Sequence, residues 1–199
     1  MRGWRAFPVW VAIAACGCAA SPPRHIFVLS EPQAAGGDVP VKPTLGPIQL
    51  QNVTVPDYLD VDDILVRSDR YQLQPIASAQ WGERLSSGVT HALTAMLAER
   101  LPEYAWEPAR PVEKGATQIL VDVQAFDLWP DGRCVLSASW SILERDTGKT
   151  RTSDRTRISI AASGQVDLLA DSAEVAVAAD AVARLADIVA TSIRSPGSP

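Results

Sequence analysis

From position 119 to position 160, apolar and polar residues alternate through three successive runs, and this period of two constrains the fold more than any other feature. In the first run Ile119, Val121, Val123 and Ala125 share one face, opposite Asp122 and Gln124. In the second, Leu136, Ala138, Trp140 and Ile142 face a core, with Ser137, Ser139 and Ser141 turned outward. Thr156, Ile158 and Ile160 continue the alternation in the third. Turn sequences join the runs: Trp129-Pro130-Asp131-Gly132, then Asp146-Thr147-Gly148-Lys149, in which Gly148 suits a positive φ. Three strands with one apolar face each require something to cover that face.

Two helices can supply the cover. Trp81, Leu85, Val89, Leu93, Met96, Leu97 and Leu101 form one stripe of a 3.6-residue period, with Glu83, Arg84, Thr90, Glu99 and Arg100 on the other face and Pro102 as the stop. Val175, Ala178, Val182, Leu185, Val189 and Ile193 make a second stripe within residues 168–194. Upstream, residues 25–29 and 48–55 read as strands, the second with a bulge, and residues 64–67 and 71–74 as a hairpin. Residues 30–47 carry Pro32, Pro40, Pro43, Pro47 and the pair Gly36-Gly37, which mark a loop. With 199 residues, 47% of them hydrophobic, one domain is expected. The fold class is α+β: an antiparallel sheet with two amphipathic helices packed on one face, spanning residues 25–194 and followed by a frayed tail at 195–199.

The first fifteen residues are of a different kind. Arg2 and Arg5 precede an apolar stretch at residues 6–15, whose ten residues span about 15 Å as a helix against roughly 30 Å of bilayer core. A basic start, a short apolar run and small residues at its end predict an export signal rather than a spanning helix. Ile13-Ala14-Ala15-Cys16 resembles a bacterial lipobox, which makes Cys16 the expected site of lipid attachment, with Cys18 as the alternative. Residues 16–24 then form a tether to the membrane, where more than one acyl chain gives stable anchoring. Cys134 is the only cysteine in the body of the domain and reads as a buried, inert thiol, so no disulfide scaffold is implied.

Charge and motifs exclude several function classes. A net charge of −5 argues against nucleic-acid binding through a broad basic surface. The chain carries no phosphate-binding glycine loop, no H-E-x-x-H, no C-x-x-C and no G-x-S-x-G. Its two histidines, His25 and His91, have no partners at catalytic or ligand spacing. The acidic cluster Asp57, Asp60, Asp62 and Asp63 lacks the turn glycine and alternating ligands of a calcium loop, and reads as a solvated turn that caps a neighbouring element. The expectation is therefore a protein without catalytic residues, metal or cofactor. Tyr58 and Leu59 stand out in that acidic segment as large apolar groups, which must either pack back on the sheet or meet another chain.

An ordered set of short motifs resembles the ABC-type transport auxiliary lipoproteins, the family of paraquat-inducible protein C. Pro56, Tyr58, Leu59 and Asp60 match its P-x-Y-L-D segment, and Ile64, Val66 and Arg67 the strand that follows. Phe27 and Leu29 match a Y/F-x-L strand, and Trp81 and Leu85 a tryptophan opening the amphipathic helix. Val123, Phe126 and Asp127 lead to Leu136, Ala138 and Trp140 in an L-x-A-x-W strand. The chain departs at Val61-Asp62-Asp63, where relatives often have a basic residue and a proline, so a cation contact made there is not carried over.

The resemblance implies a periplasm-facing lipoprotein of a transport system with mammalian-cell-entry (MCE) domain proteins, which moves lipid between the two membranes of the envelope. It implies an MCE-domain protein and the associated ABC transporter as partners, and an acyl anchor in the inner leaflet of the outer membrane. It also implies a homo-oligomeric ring, and so tips Pro56, Tyr58, Leu59 and Asp60 toward an intersubunit contact over a local core plug. The alternative function is a free-standing envelope lipoprotein that binds a small amphiphile.

Overall fold

The computed structural model describes residues 23–29, 42–106, 116–144, 147–161 and 171–195. The expected signal segment, Cys16, Cys18, most of the 30–47 loop, Asp146 of the second turn and all but the first residue of the tail lie outside these residues.

Strands β1 (His25–Phe27), β2 (Leu45–Leu50), β3 (Asp63–Asp69) and β4 (Gln72–Trp81) precede helix α1 (Leu85–Arg100). Then come β5 (Tyr104–Trp106), β6 (Thr117–Leu128), β7 (Arg133–Glu144), β8 (Thr150–Ala161) and helix α2 (Asp171–Arg194). The three alternating runs are the long strands β6, β7 and β8, an antiparallel meander. The turns between them place Gly132 at φ 75° and Gly148 at φ 62°, a region that favours glycine.

The sheet is mixed, and it is antiparallel in the meander and in the β3–β4 hairpin. Elsewhere strands meet in parallel: β2 and β3 both join the free edge of β6, β1 joins β4, and β5 joins β2. A parallel neighbour needs a long crossover, and the stretch from β2 through the hairpin and α1 to β6 provides one. The lateral order from one flank to the other is thus β8, β7, β6, β3, β4, β1, with β2 and β5 beside the first part of β6.

A continuous core forms between one face of the sheet and the two helices. Ile119, Val121, Val123, Leu136, Ala138, Trp140 and Ile142 meet Leu85, Val89, Leu93 and Leu97 of α1 and Ala178, Val182, Leu185 and Val189 of α2. The helices are clamped at one end, where Arg100 of α1 reaches Asp187 of α2 at 2.6 Å and Arg194 reaches Glu103 at 3.7 Å.

Several details differ from the sequence reading. The sheet expected to be antiparallel is mixed, β5 is not among the expected strands, and the strand expected at 48–55 runs from Leu45 to Leu50, which takes Leu45 and Pro47 out of the expected loop. Trp81 ends β4 and does not open the helix; its N–H donates to the Asp62 carbonyl at 2.7 Å, and its ring is buried. The four-residue step to Leu85 therefore bridges a strand end and a helix start. In β6 the register shifts between Val123 and Ala125, a bulge that turns Phe126 and Leu128 to the core in place of Ala125. Thr90 is buried rather than on a solvated helix face: its hydroxyl donates to the Ser86 carbonyl at 2.7 Å and accepts from the Val53 N–H at 2.9 Å.

Candidate interaction site

The segment at 56–60 is a tight turn held by its own backbone, with the Leu59 and Asp60 N–H groups both donating to the Pro56 carbonyl. The turn separates its two large side chains. Leu59 is 4% exposed and belongs to the core, whereas Tyr58 is 50% exposed. Of the pair, Tyr58 alone remains available to a partner.

Asp60 points toward the start of α1. The residue before the helix, Arg84, supplies no side-chain cap, and the first turn contains no acidic residue. Asp60 fills both roles from a distance: its Oδ1 accepts the Ser86 N–H at 3.0 Å, and its other oxygen lies 3.6 Å from Arg84. The Ser86 N–H first, and then the Ser86 hydroxyl and the Arg84 charge, hold its carboxyl below the ordinary value of 3.8, with partial burial acting the other way.

The other motif residues converge beside Tyr58. Arg67 on β3 donates through Nη2 to Asp127 Oδ1 on β6 at 2.6 Å, and both side chains are 16% exposed. The bulge in β6 makes this contact possible, because it shifts the alternation so that Asp127 faces away from the helices. Arg67 also donates to the Arg70 carbonyl at 3.1 Å. The Asp127 hydrogen bond and charge, and in smaller measure the nearby Tyr58 hydroxyl, raise the Arg67 pKa above its already high ordinary value, against the effect of partial burial. Beneath the network, Val135 pairs with Asp127 across the strands and is buried outside the main core. Tyr58, Arg67 and Asp127, scattered over seventy positions of sequence, thus form one polar cluster on the outer face of the sheet.

The remaining candidates stay apart from it. Cys134 is a free, buried thiol pushed up to about 12 by burial and then by the Asp127 charge, which keeps it protonated at neutral pH. His91 lies 3.0 Å from Glu83 on the surface, and His25 sits exposed on β1 with its ring 6.4 Å from that of Phe27. Asp63 pairs with Arg24 at 3.2 Å. Among the described residues no three His, Cys, Asp or Glu side chains group as metal ligands do. A groove of about 150 Å³ opens on the outer face between Asn52, Thr54, Asp122, Ser139, Ser141 and Ser153, smaller than the 300 Å³ or more typical of small-molecule pockets. Sequence reasoning singled out Tyr58, Asp60, Arg67 and Asp127 through motifs, but it missed Ser86 and Thr90, which carry no motif and act through contacts distant in sequence.

Comparison with known proteins agrees with this assembly. The model of the family described as ABC-type transport auxiliary lipoprotein component matches residues 27–190. A crystal structure of an uncharacterized protein superimposes with a TM-score of 0.70 at 18% identity, covering 86% of this chain and 99% of that one. A Xanthomonas campestris protein assigned to DUF330 superimposes at 0.61 with 13% identity, covering 84% and 90%. At these identities the likeness establishes the shared fold. The comparison with curated proteins gave no match. No helix among the described residues is long and apolar enough to cross a membrane. A family match that takes in all three residues of the outer-face cluster, the whole meander, α1 and most of α2 identifies the chain as a member of the ABC-type transport auxiliary lipoprotein family, proteins of the cell envelope.

Proposed function

We propose that this protein is the periplasm-facing lipoprotein subunit of an MCE-type ABC lipid transport system. In this reading it is held in the inner leaflet of the outer membrane by acyl chains on Cys16, or on Cys18, and docks the end of the intermembrane lipid bridge as a homo-oligomer. Its work is structural rather than catalytic. The family match over residues 27–190 carries the proposal. Two features support it: helix stripes spent on the core, and a motif segment that braces a half-exposed tyrosine instead of assembling reactive groups. Tyr58 offers a rigid ring with a polar tip, a chemistry favoured at interface anchors.

The test is co-purification from detergent-solubilised envelopes of cells expressing the full chain at native level. An MCE-domain protein and ABC transporter subunits are expected in the eluate. Recovery of the chain as a monomer carrying one stoichiometric lipid, with no transporter component, would instead favour an amphiphile-binding lipoprotein.

A further inference from the structure

Six arginines among the described residues are paired, and of the unpaired cations Lys42, Arg70 and Arg184 stand apart from one another, before β2, in the β3–β4 turn and on α2, whereas four gather along β8. Arg24, Arg67, Arg84, Arg100, Arg133 and Arg194 each lie within 3.7 Å of a carboxylate. Lys149, Arg151, Arg155 and Arg157 are all exposed and face no carboxylate among the described residues. They lie on or beside β8, which pairs with β7 alone and so forms one flank of the sheet. Arg155 and Arg157 stand opposite Ser139 and Ser137, on the face turned away from the helices. One acid, Asp154, interrupts the run, and it accepts the Arg155 N–H. The net charge of the chain is −5, so this strip is a local reversal of sign.

The segment that enters β3, an interior strand of the sheet, has the complementary chemistry. Asp57 and Asp62 are exposed and without an ion pair among the described residues, unlike Asp60 and Asp63 on either side. Between them Tyr58 presents half its surface. β3, which this segment enters, is separated from β8 by β6 and β7, a distance of roughly 14 Å at ordinary strand spacing. Two different, oppositely charged patches, one on the β8 flank and one at the entrance to β3, describe a heterologous contact, which propagates head to tail and closes into a ring when the rotation allows. Guanidinium groups suit such a partner, since they pair with carboxylates and stack on an aromatic ring.

We infer that β8 of one copy docks on the 57–62 segment of the next, with its arginines against Asp57, Asp62 and the ring of Tyr58. The inference rests on the homo-oligomer reading above and assigns the surfaces that build it. Arginines along β8 also protect a twelve-residue edge strand from indiscriminate pairing, so the contact runs through side chains rather than through added strands. Two acidic chains repel at a distance, which makes placed opposite charges the source of correct register.

The experiment uses the full acylated chain in detergent and reads its assembly by sedimentation across concentration, at low and at high salt. Arg155→Glu with Arg157→Glu, and separately Asp57→Lys with Asp62→Lys, are each expected to raise the concentration for half-assembly about tenfold or more. Combining the four substitutions is expected to restore it, and salt to weaken the wild type by screening. Unchanged melting temperatures establish that the exposed substitutions leave the fold intact. Assembly that ignores both charge reversals, or a combined variant no better than its parents, overturns the docking surfaces while the homo-oligomer survives. A wild type that stays monomeric at every concentration overturns both. If the β8 reversal abolishes binding to vesicles containing phosphatidylglycerol and leaves assembly unchanged, the strip belongs to an anionic membrane and the inference fails.

Discussion

Asp60 acts on a helix that begins twenty-five positions downstream of it, and its ionisation state therefore reports on folding. An accepted backbone N–H at a helix start contributes about 1 kcal/mol, and Asp60→Ala is expected to lose that amount at pH 7, a fall of about 2–4 °C in melting temperature for a domain of this size. The sign with pH follows from the direction of the shift. The folded carboxyl titrates below its ordinary value of 3.8, so folding favours the ionised form. Its contribution is complete above pH 3.8 and disappears as the pH falls through the lower folded value. Melting curves of wild type and Asp60→Ala should thus be separated at neutral pH and converge in acid. A gap that stays constant down to strongly acidic pH would assign the effect to packing. Arg67 and Asp127 pair at a partly buried position, and their contact joins β3 to the end of β6.

Elements are joined here by contacts that local patterns do not encode. Thr90 sits in the middle of α1, yet its hydroxyl satisfies the Val53 N–H where the chain after β2 runs beside β6. Thr90→Val keeps the shape and removes the acceptor, leaving a buried donor unpaired at a cost of about 1–3 kcal/mol. Thr90→Ser is expected to retain most of that stability, and urea melts of the two variants decide the matter. Equal loss in both would place the role of Thr90 in packing of its methyl group. Sequence reading misplaced Thr90 because a helix period assigns faces but cannot see that α1 is enclosed on more than one side. The meander was legible since each of its strands buries one face and exposes the other. The bulge at Gln124 was not, since one extra residue changes register without changing composition. Trp81 imitated a helix residue by standing four positions before Leu85, and β5, with three residues, is too short to show a period. The outer-face cluster could be named residue by residue from motifs, while its convergence depended on tertiary pairing across sixty positions between Arg67 and Asp127.

At the scale of the molecule, the position of β1 decides how an acyl anchor would hold the domain. β1 forms the flank of the sheet beyond β4, and Arg24, just before it, is tied to Asp63. From Cys16 to His25 there are nine covalent steps, so a fully extended tether reaches at most about 30 Å. An anchored domain is therefore confined to the membrane surface, with the β1 flank nearer the bilayer and the β8 flank five strands away. Acyl chains contribute about 0.8 kcal/mol for each buried methylene, far more than the few exposed apolar side chains near β1 could replace. Cys16→Ala is expected to abolish labelling by radioactive palmitate and to move the protein from the membrane fraction to the soluble one. The same substitution should leave the melting temperature of the domain unchanged, because the described core begins at Leu29. Labelling that persists in Cys16→Ala and disappears in Cys18→Ala would transfer the anchor to Cys18. A wild type that incorporates no palmitate, and washes from membranes with salt, would mean that the chain is held at the envelope by protein contacts alone.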